Sequence, residues 1–296
     1  MTKFFEVNVR KYVEEYSFSV FRPASLDNAH DNSVMFVTEG FMARAESLTS
    51  IKSCLVFWPC NVDVPKQING RHAVVLCENP HLEYCRFFQD NGITNHPKLG
   101  EYELINGAYI AKGAIIGEKA VIFPNVYIDT DVEIGKNIFI GSGTRIIGRV
   151  KIGDDVVIRE NSVIGADGLS TDRDENGKAV TMPQFGGVKI GNRVQVGANT
   201  VIARGAIDDT VIEDGCKIDN SCFISHNVQL GADTFVVGES IMFGSSSTGE
   251  QAYISGNATI RNGIHIGSKA VVGMGAVVTK PVPDGATVLG NPAMVR

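Results

Sequence analysis

No run of 18 apolar residues occurs in the 296-residue chain, and no cationic segment leading into an apolar stretch opens it. The sequence therefore gives no sign of a membrane span or of export, and a cytoplasmic location is expected. The six cysteines, Cys54, Cys60, Cys77, Cys85, Cys216 and Cys222, show no C-x-x-C spacing and no histidine at metal-ligand spacing. They read as small buried or semi-buried thiols in a reducing compartment, with no metal and no permanently bound cofactor. Net charge is −6, without the basic stripe of a nucleic-acid binder. An anionic small ligand would have to be held by local donors. No Gly-rich phosphate loop lies near the start, which speaks against a sugar nucleotidyltransferase.

What the chain does have is a period of six. Isoleucine recurs at Ile110, Ile116, Ile122, Ile128, Ile134, Ile140, Ile146, Ile152, Ile158 and Ile164, and Leu104 extends the register backwards. An α-helix repeats every 3.6 residues and a strand every 2, so this spacing needs a coil of short strands that each send one side chain inward and then turn. Such a coil is a hexapeptide-repeat β-helix. Gly117, Gly135, Gly141, Gly153 and Gly165 follow inward positions, where a tight turn leaves little room for a side chain. The register resumes at Ile190, Val196 and Ile202, slips by four residues over Gly205 to Asp208, and runs from Ile212 to Val278. With three hexapeptides per triangular turn, this makes about nine stacked coils.

The first interruption, residues 166–187, carries Asp172, Arg173, Asp174, Glu175, Asn176, Gly177 and Lys178. So polar an excursion does not stack and is expected to project as a loop, either a tolerated surface insertion or part of a binding face. Residues 1–100 lack the period of six. Ser53–Trp58 and Ala73–Cys77 read as buried strands, and Phe41–Leu48 and His81–Gln89 as short helices. The expected fold is mainly β, with a parallel β-helix over 101–296 and a small α/β domain over 1–100.

Only His226 and His265 lie in the repeat region, too few for the three-histidine zinc site of a hexapeptide carbonic anhydrase. His226 stands two residues past the inward Ile224, near a corner, where a neutral imidazole can take a proton from an attacking amine. Gly244 stands one coil above it, with a backbone N–H open to a reacting carbonyl oxygen. By itself His226 is equally an exposed corner histidine.

The runs Ile164-Gly165-Ala166-Asp167-Gly168, Met182-Pro183-Gln184-Phe185-Gly186-Gly187, Gly197-Ala198-Asn199-Thr200, Arg204-Gly205-Ala206-Ile207-Asp208-Asp209-Thr210, Ile218-Asp219-Asn220 and His226-Asn227-Val228 keep a definite order and spacing. In this, and in Ala24-Ser25-Leu26, Val34-Met35-Phe36-Val37 and Glu78-Asn79-Pro80-His81, the chain closely resembles the UDP-3-O-acylglucosamine N-acyltransferases of lipid A biosynthesis. The resemblance implies a homotrimer of left-handed β-helices with active sites in the clefts between subunits. It also implies His226 as general base, Asp219 as its carboxylate and Gly244 as the oxyanion-hole glycine. Asn199, Arg204 and Asn227 fall on the substrate side. Phe36 matches a nucleotide-stacking aromatic of the first domain; Met42 takes the place of the second, with Phe41 the nearest ring. Either phenylalanine can equally be a core residue.

There are departures from the pattern. Gly263 stands where the family has a second histidine, and Ala203 where it has an aspartate. The family's C-terminal helices, which help receive acyl carrier protein, are not found before Gly290-Asn291-Pro292-Ala293-Met294-Val295-Arg296, an ending that looks like coenzyme A-dependent hexapeptide transferases. Gly244, Gly263, Lys269 and Lys280 are then the expected coenzyme A contacts, with Arg296 a further phosphate partner. The expected function is an N-acyltransferase that moves an acyl group from acyl-CoA to the amine of a dTDP- or UDP-linked amino sugar destined for a surface polysaccharide. One alternative is the lipid A enzyme itself, fed by acyl carrier protein; another is a catalytically silent β-helix scaffold.

Overall fold

The computed structural model describes residues 3–96 and 99–290. The chain divides into two compact units, Met1–His96 with Leu169–Phe185, and Pro97–Gly168 with Gly186–Arg296.

The second unit is a left-handed parallel β-helix of hexapeptide repeats. The chain visits three flat faces in turn. The first face stacks nine parallel strands from Ala108–Ala111 to Val277–Val278, and Tyr102–Ile105 closes its lower edge antiparallel. The second runs from Ile115–Ile116 to His265–Ile266, and the third from Val121–Ile122 to Thr287–Val288. Register joins like to like: Ile128 pairs with Ile110 and Ile146, and Ile224 with Met242. The ladder survives both interruptions, since Ile164 pairs with Ile202 and Ile202 with Ile224. The extra residues are thus expelled from the coil, leaving a continuous inner column of buried aliphatic side chains. Full burial of each such side chain contributes about 1.5–3 kcal/mol.

The corners solve their geometry differently from the expectation. The left-handed backbone positions fall largely to polar residues such as Asn125, Asn161, Asn199, Asn227 and Asn257, whose φ values lie between 56° and 63°. Asparagine accepts this conformation more readily than most side chains. Gly117 has no such φ; it is needed because a Cβ there would lie 2.5 Å from the Gly135 carbonyl oxygen of the next coil.

The first unit contains a parallel four-stranded sheet, Arg22–Pro23, Ser33–Phe36, Leu55–Pro59 and Ala73–Cys77, in sequential order. Helix α1 (Pro80–Asp90) starts at Asn79, whose side chain accepts from the Leu82 N–H at 3.1 Å, and carries Pro80 in its first turn. Glu39–Ser50 is a run of 3₁₀ turns, longer than the short helix expected over Phe41–Leu48. The polar excursion, expected as a projecting loop, forms an antiparallel hairpin, Thr171–Arg173 with Ala179–Thr181, and belongs to this unit. The reason is chemical pairing. Asp172 meets His81 at 2.9 Å and Glu175 meets Arg86 at 2.5 Å on α1, and Phe185 is buried among Phe4, Phe5 and Phe88.

Candidate active site

His226 follows the first-face strand Phe223–Ile224 and turns out at the corner before the second face. Two glycines enclose its ring. A Cβ built on Gly244, one coil above, would lie 2.5 Å from His226 Nε2 and 2.6 Å from Cε1. A Cβ built on Gly168, on the other side, would lie 2.7 Å from His226 Cβ and 3.0 Å from Cδ2. The imidazole therefore lies where only glycine leaves room, with its Nε2 edge at Gly244. Gly244 is itself buried, and its N–H donates to no acceptor among the described residues. His226 Nδ1 is 3.1 Å from Asn227 Oδ1.

The other sequence-derived candidates are distributed around this point. Gly263 lies in the coil above, in register with Ser245; its N–H donates to the Gly244 carbonyl at 3.0 Å, and a Cβ there would meet nothing within 4 Å. Lys280 occupies the same corner column higher up, because Met242, Ile260 and Val278 pair in successive coils and each precedes its corner by two residues. At about 4.8 Å per coil, three coils put it roughly 14 Å from His226 along the column. Lys269 is at a different corner, before the third-face strand Val271–Val272. Asn291 to Arg296, including the expected Arg296 contact, lie outside the described residues.

Asp219 does not meet His226 within the chain. It follows the third-face strand Lys217–Ile218, one face away, and its carboxylate accepts from the Asn220 N–H at 2.8 Å and the Gly238 N–H at 3.1 Å. There it borders a cleft of about 360 Å³ with Arg159, Lys217, Asn220 and Phe235. Asn199 is exposed at the same corner of the triangle.

Arg204 is 5% exposed, too enclosed to present its charge to a ligand. Its Nε donates to the Gly186 carbonyl at 3.0 Å and its Nη1 lies 3.6 Å from Asp167. Burial pulls its pKa below the ordinary value, against the opposing effect of Asp167. Arg204 thus joins Asp167 and Gly186 within the second unit. In the first unit, Phe36 packs against Tyr84 and His81 at 4.8 and 5.2 Å, while Phe41 is exposed beneath the Arg44 guanidinium. Met42 packs on that unit's apolar core.

His81 also bridges Asp172 and Cys85, with Cys85 Sγ 3.9 Å from Nε2. The constellation has the outline of a Cys–His–Asp triad but not its chemistry. Cys85 is wholly buried, and desolvation pushes its thiol up to about 12, far from the thiolate a nucleophile needs. Among the described residues no group of three His, Cys, Asp or Glu is placed to hold a metal, and no helix is long and apolar enough to cross a membrane.

Gly168 is the site residue that sequence reasoning passed over. It lies inside the expelled segment's margin, so no spacing rule links it to His226; only the fold brings it there.

The bacterial transferase hexapeptide pattern (six repeats) matches residues 113–148 and 131–166, and the hexapeptide repeat of succinyl-transferase matches 187–226 and 249–280. The UDP-3-O-acylglucosamine N-acyltransferase of Bordetella pertussis is 30% identical over 293 residues, an alignment covering 87% of this chain and 77% of that one. The enzyme of the same name from Cupriavidus metallidurans is 30% identical over 93% of this chain and 80% of its own. Among solved structures, a UDP-N-acetylglucosamine acyltransferase from Bacteroides fragilis superimposes with a TM-score of 0.54 at 26% identity, over 61% of this chain and 69% of that one.

Proposed function

The chain belongs to the hexapeptide-repeat family of UDP-3-O-acylglucosamine N-acyltransferases, and on that premise we propose that it acylates the amine of a UDP-linked 3-O-acylglucosamine from an acyl thioester. The observation that carries this reading is the His226 ring, enclosed by Gly168 and Gly244 with its Nε2 edge at the Gly244 backbone. A base nitrogen next to an uncommitted, buried N–H is what direct aminolysis requires. As the amine nitrogen bonds to the thioester carbonyl carbon, Nε2 takes the proton that the nitrogen loses. The Gly244 N–H donates to the carbonyl oxygen as it becomes negative. The C–S bond then breaks, the thiolate leaves with the electron pair, and a proton returns to it. An acyl-enzyme is unnecessary, since a neutral, positioned amine is already a competent nucleophile.

Asp219 lies one face away in the same chain, so its pairing with His226 calls for a second copy, in keeping with the homotrimer implied by the resemblance. Phe36 and Phe41 remain the proposed nucleotide contacts of the first unit, and Asn199 a proposed substrate contact. Lys280, in the column above His226, suits the phosphate of a pantetheine arm.

Among the readings open to the sequence, the relatives' names support the lipid A alternative by its acceptor, UDP-3-O-acylglucosamine, and acyl carrier protein is then the donor that the resemblance implies. One observation favours transfer from coenzyme A as a second reading. The open corner at Gly263, where the family carries a histidine, suits a substrate or donor unlike the family's own.

A thiol-release assay separates the two: the purified protein is given acyl carrier protein and coenzyme A thioesters, each with UDP-3-O-acylglucosamine and with dTDP- and UDP-amino-deoxyhexoses. Turnover with carrier protein and the UDP-glucosamine supports the first reading; turnover only with coenzyme A and a deoxyhexose establishes the second. In the active pair, His226→Asn should lower kcat by about 10² to 10⁴. A variant turning over like wild type removes His226 from the mechanism.

A further inference from the structure

The four-residue slip over Gly205 to Asp208 breaks the repeat one coil below His226, and the loop it forms comes back to the site. Its Ala206 N–H donates to Asn227 Oδ1 at 3.0 Å, and its Asp208 carbonyl accepts from Asn227 Nδ2 at 2.8 Å. A backbone N–H only donates and a carbonyl only accepts, so the main chain dictates which end of the amide is oxygen. That same Oδ1 is the atom 3.1 Å from His226 Nδ1. An amide oxygen has no hydrogen to give, so the hydrogen between them resides on Nδ1. In the neutral ring the lone pair is then confined to Nε2, the atom at Gly244.

We propose that Asn227 is a positioning residue which locks neutral His226 in the Nδ1–H tautomer, and that the slip is the device that aims it. The inference rests on His226 being the base. It replaces a substrate contact through Oδ1, since Ala206 and His226 use both lone pairs of that oxygen. The support is rigid. The Asn227 N–H donates to the hydroxyl of buried Thr210 at 2.9 Å, and Asn227 holds a left-handed φ of 59°. Gly205 is obligatory within the slip, because a Cβ there would fall on the Asp208 carbonyl oxygen. Throughout turnover only Nε2 gains and loses a proton, while Nδ1–H stays on Asn227.

The test is ¹⁵N NMR of the full-length protein labelled at histidine, at a pH where the imidazole is neutral, with His226 assigned by its disappearance in His226→Asn. The expected spectrum shows Nδ1 as the protonated nitrogen and Nε2 as the bare one. Asn227→Gly keeps the backbone conformation but removes the amide. It should shift the ring toward the Nε2–H form favoured by free histidine, and lower kcat on the order of 10² to 10⁴ with the KM for the sugar nearly unchanged. Asn227→Asp keeps an acceptor and adds a negative charge. It should preserve the tautomer and move the acid limb of the pH–rate profile up by about one unit. A wild-type ring protonated on Nε2, or an unchanged Nδ1–H ring in Asn227→Gly, overturns the proposal. A locked tautomer in a protein that transfers no acyl group would leave the lock standing and remove the acyltransferase reading instead.

Discussion

Two hydrogen atoms, the ones that glycine carries in place of a Cβ at positions 168 and 244, decide where the His226 imidazole can lie. Gly244→Ala would put a methyl 2.5 Å from Nε2, so the ring has to rotate away from the reacting atoms. Because the ring is the movable partner, stability should hardly change while kcat falls at least about tenfold; thermal unfolding beside steady-state kinetics separates the two effects. A variant losing several degrees of Tm with normal kcat would contradict this. Thiol chemistry is also set by individual surroundings. Desolvation raises Cys54 to about 12 and Cys77 and Cys216 to about 11, whereas Cys60 is exposed. In the native protein at mildly alkaline pH, a maleimide should therefore label Cys60 first, with Cys54, Cys85 and Cys216 reacting only on unfolding; mass spectrometry of the labelled peptides reads this directly. His226 and Gly244 were legible in the sequence because they sit eighteen residues apart in a chain whose coil length is visible. Gly168 was not, since the expelled hairpin breaks the count between it and His226. Arg204, expected on the substrate side, is buried with its Nε on the Gly186 carbonyl, a burial that no periodic signal in the sequence conveys.

Between single residues and the molecule stand the two departures from the repeat, each a local element with its own reason. The hairpin of residues 171–181 is stapled to α1 through Asp172 and Glu175. Burial alone would raise the Asp172 carboxyl, but hydrogen bonds from His81, the Arg173 N–H and Asn79 outweigh it and hold the group below its ordinary value. Since the folded value lies below the unfolded one, this contribution to stability is complete above about pH 4 and is lost as pH falls through the folded value. The Tm difference between wild type and Asp172→Asn should accordingly hold constant from neutral pH down to about pH 4 and shrink only as pH falls further, through the folded value. A difference independent of pH would mean that Asp172 acts through packing alone. From sequence, the polarity of this segment correctly indicated expulsion from the coil. Its return as a paired hairpin was hidden, because charges eighty or ninety residues apart in sequence carry no periodic signal.

For the whole molecule, the period of six was sufficient to read the β-helix and its number of coils, because one inward side chain per strand is a geometric necessity rather than a preference. The first unit had no such repeat, and there two of the four sheet strands and the helical segments around Phe41–Leu48 and α1 were legible, while Arg22–Pro23 and Ser33–Phe36 were not. The repeat also predicts how damage spreads. Ile224 is fully buried and pairs with Ile202 below and Met242 above. Ile224→Ala should cost about 2–5 kcal/mol in chemical denaturation, the range for a core cavity that close packing cannot collapse. A loss below about 1 kcal/mol would indicate a column able to settle into the gap.

The first unit also has an unusual order of manufacture. Its segments end at His96 and resume at Leu169, so several solenoid coils leave the ribosome before Phe185 can join Phe5 and Phe88. A fragment cut after residue 96 would therefore lack part of its own aromatic core. Excising this unit as a separate piece requires splicing 169–185 back onto it, and a nascent chain halted before that point would expose an unfinished apolar surface to the cell's chaperones.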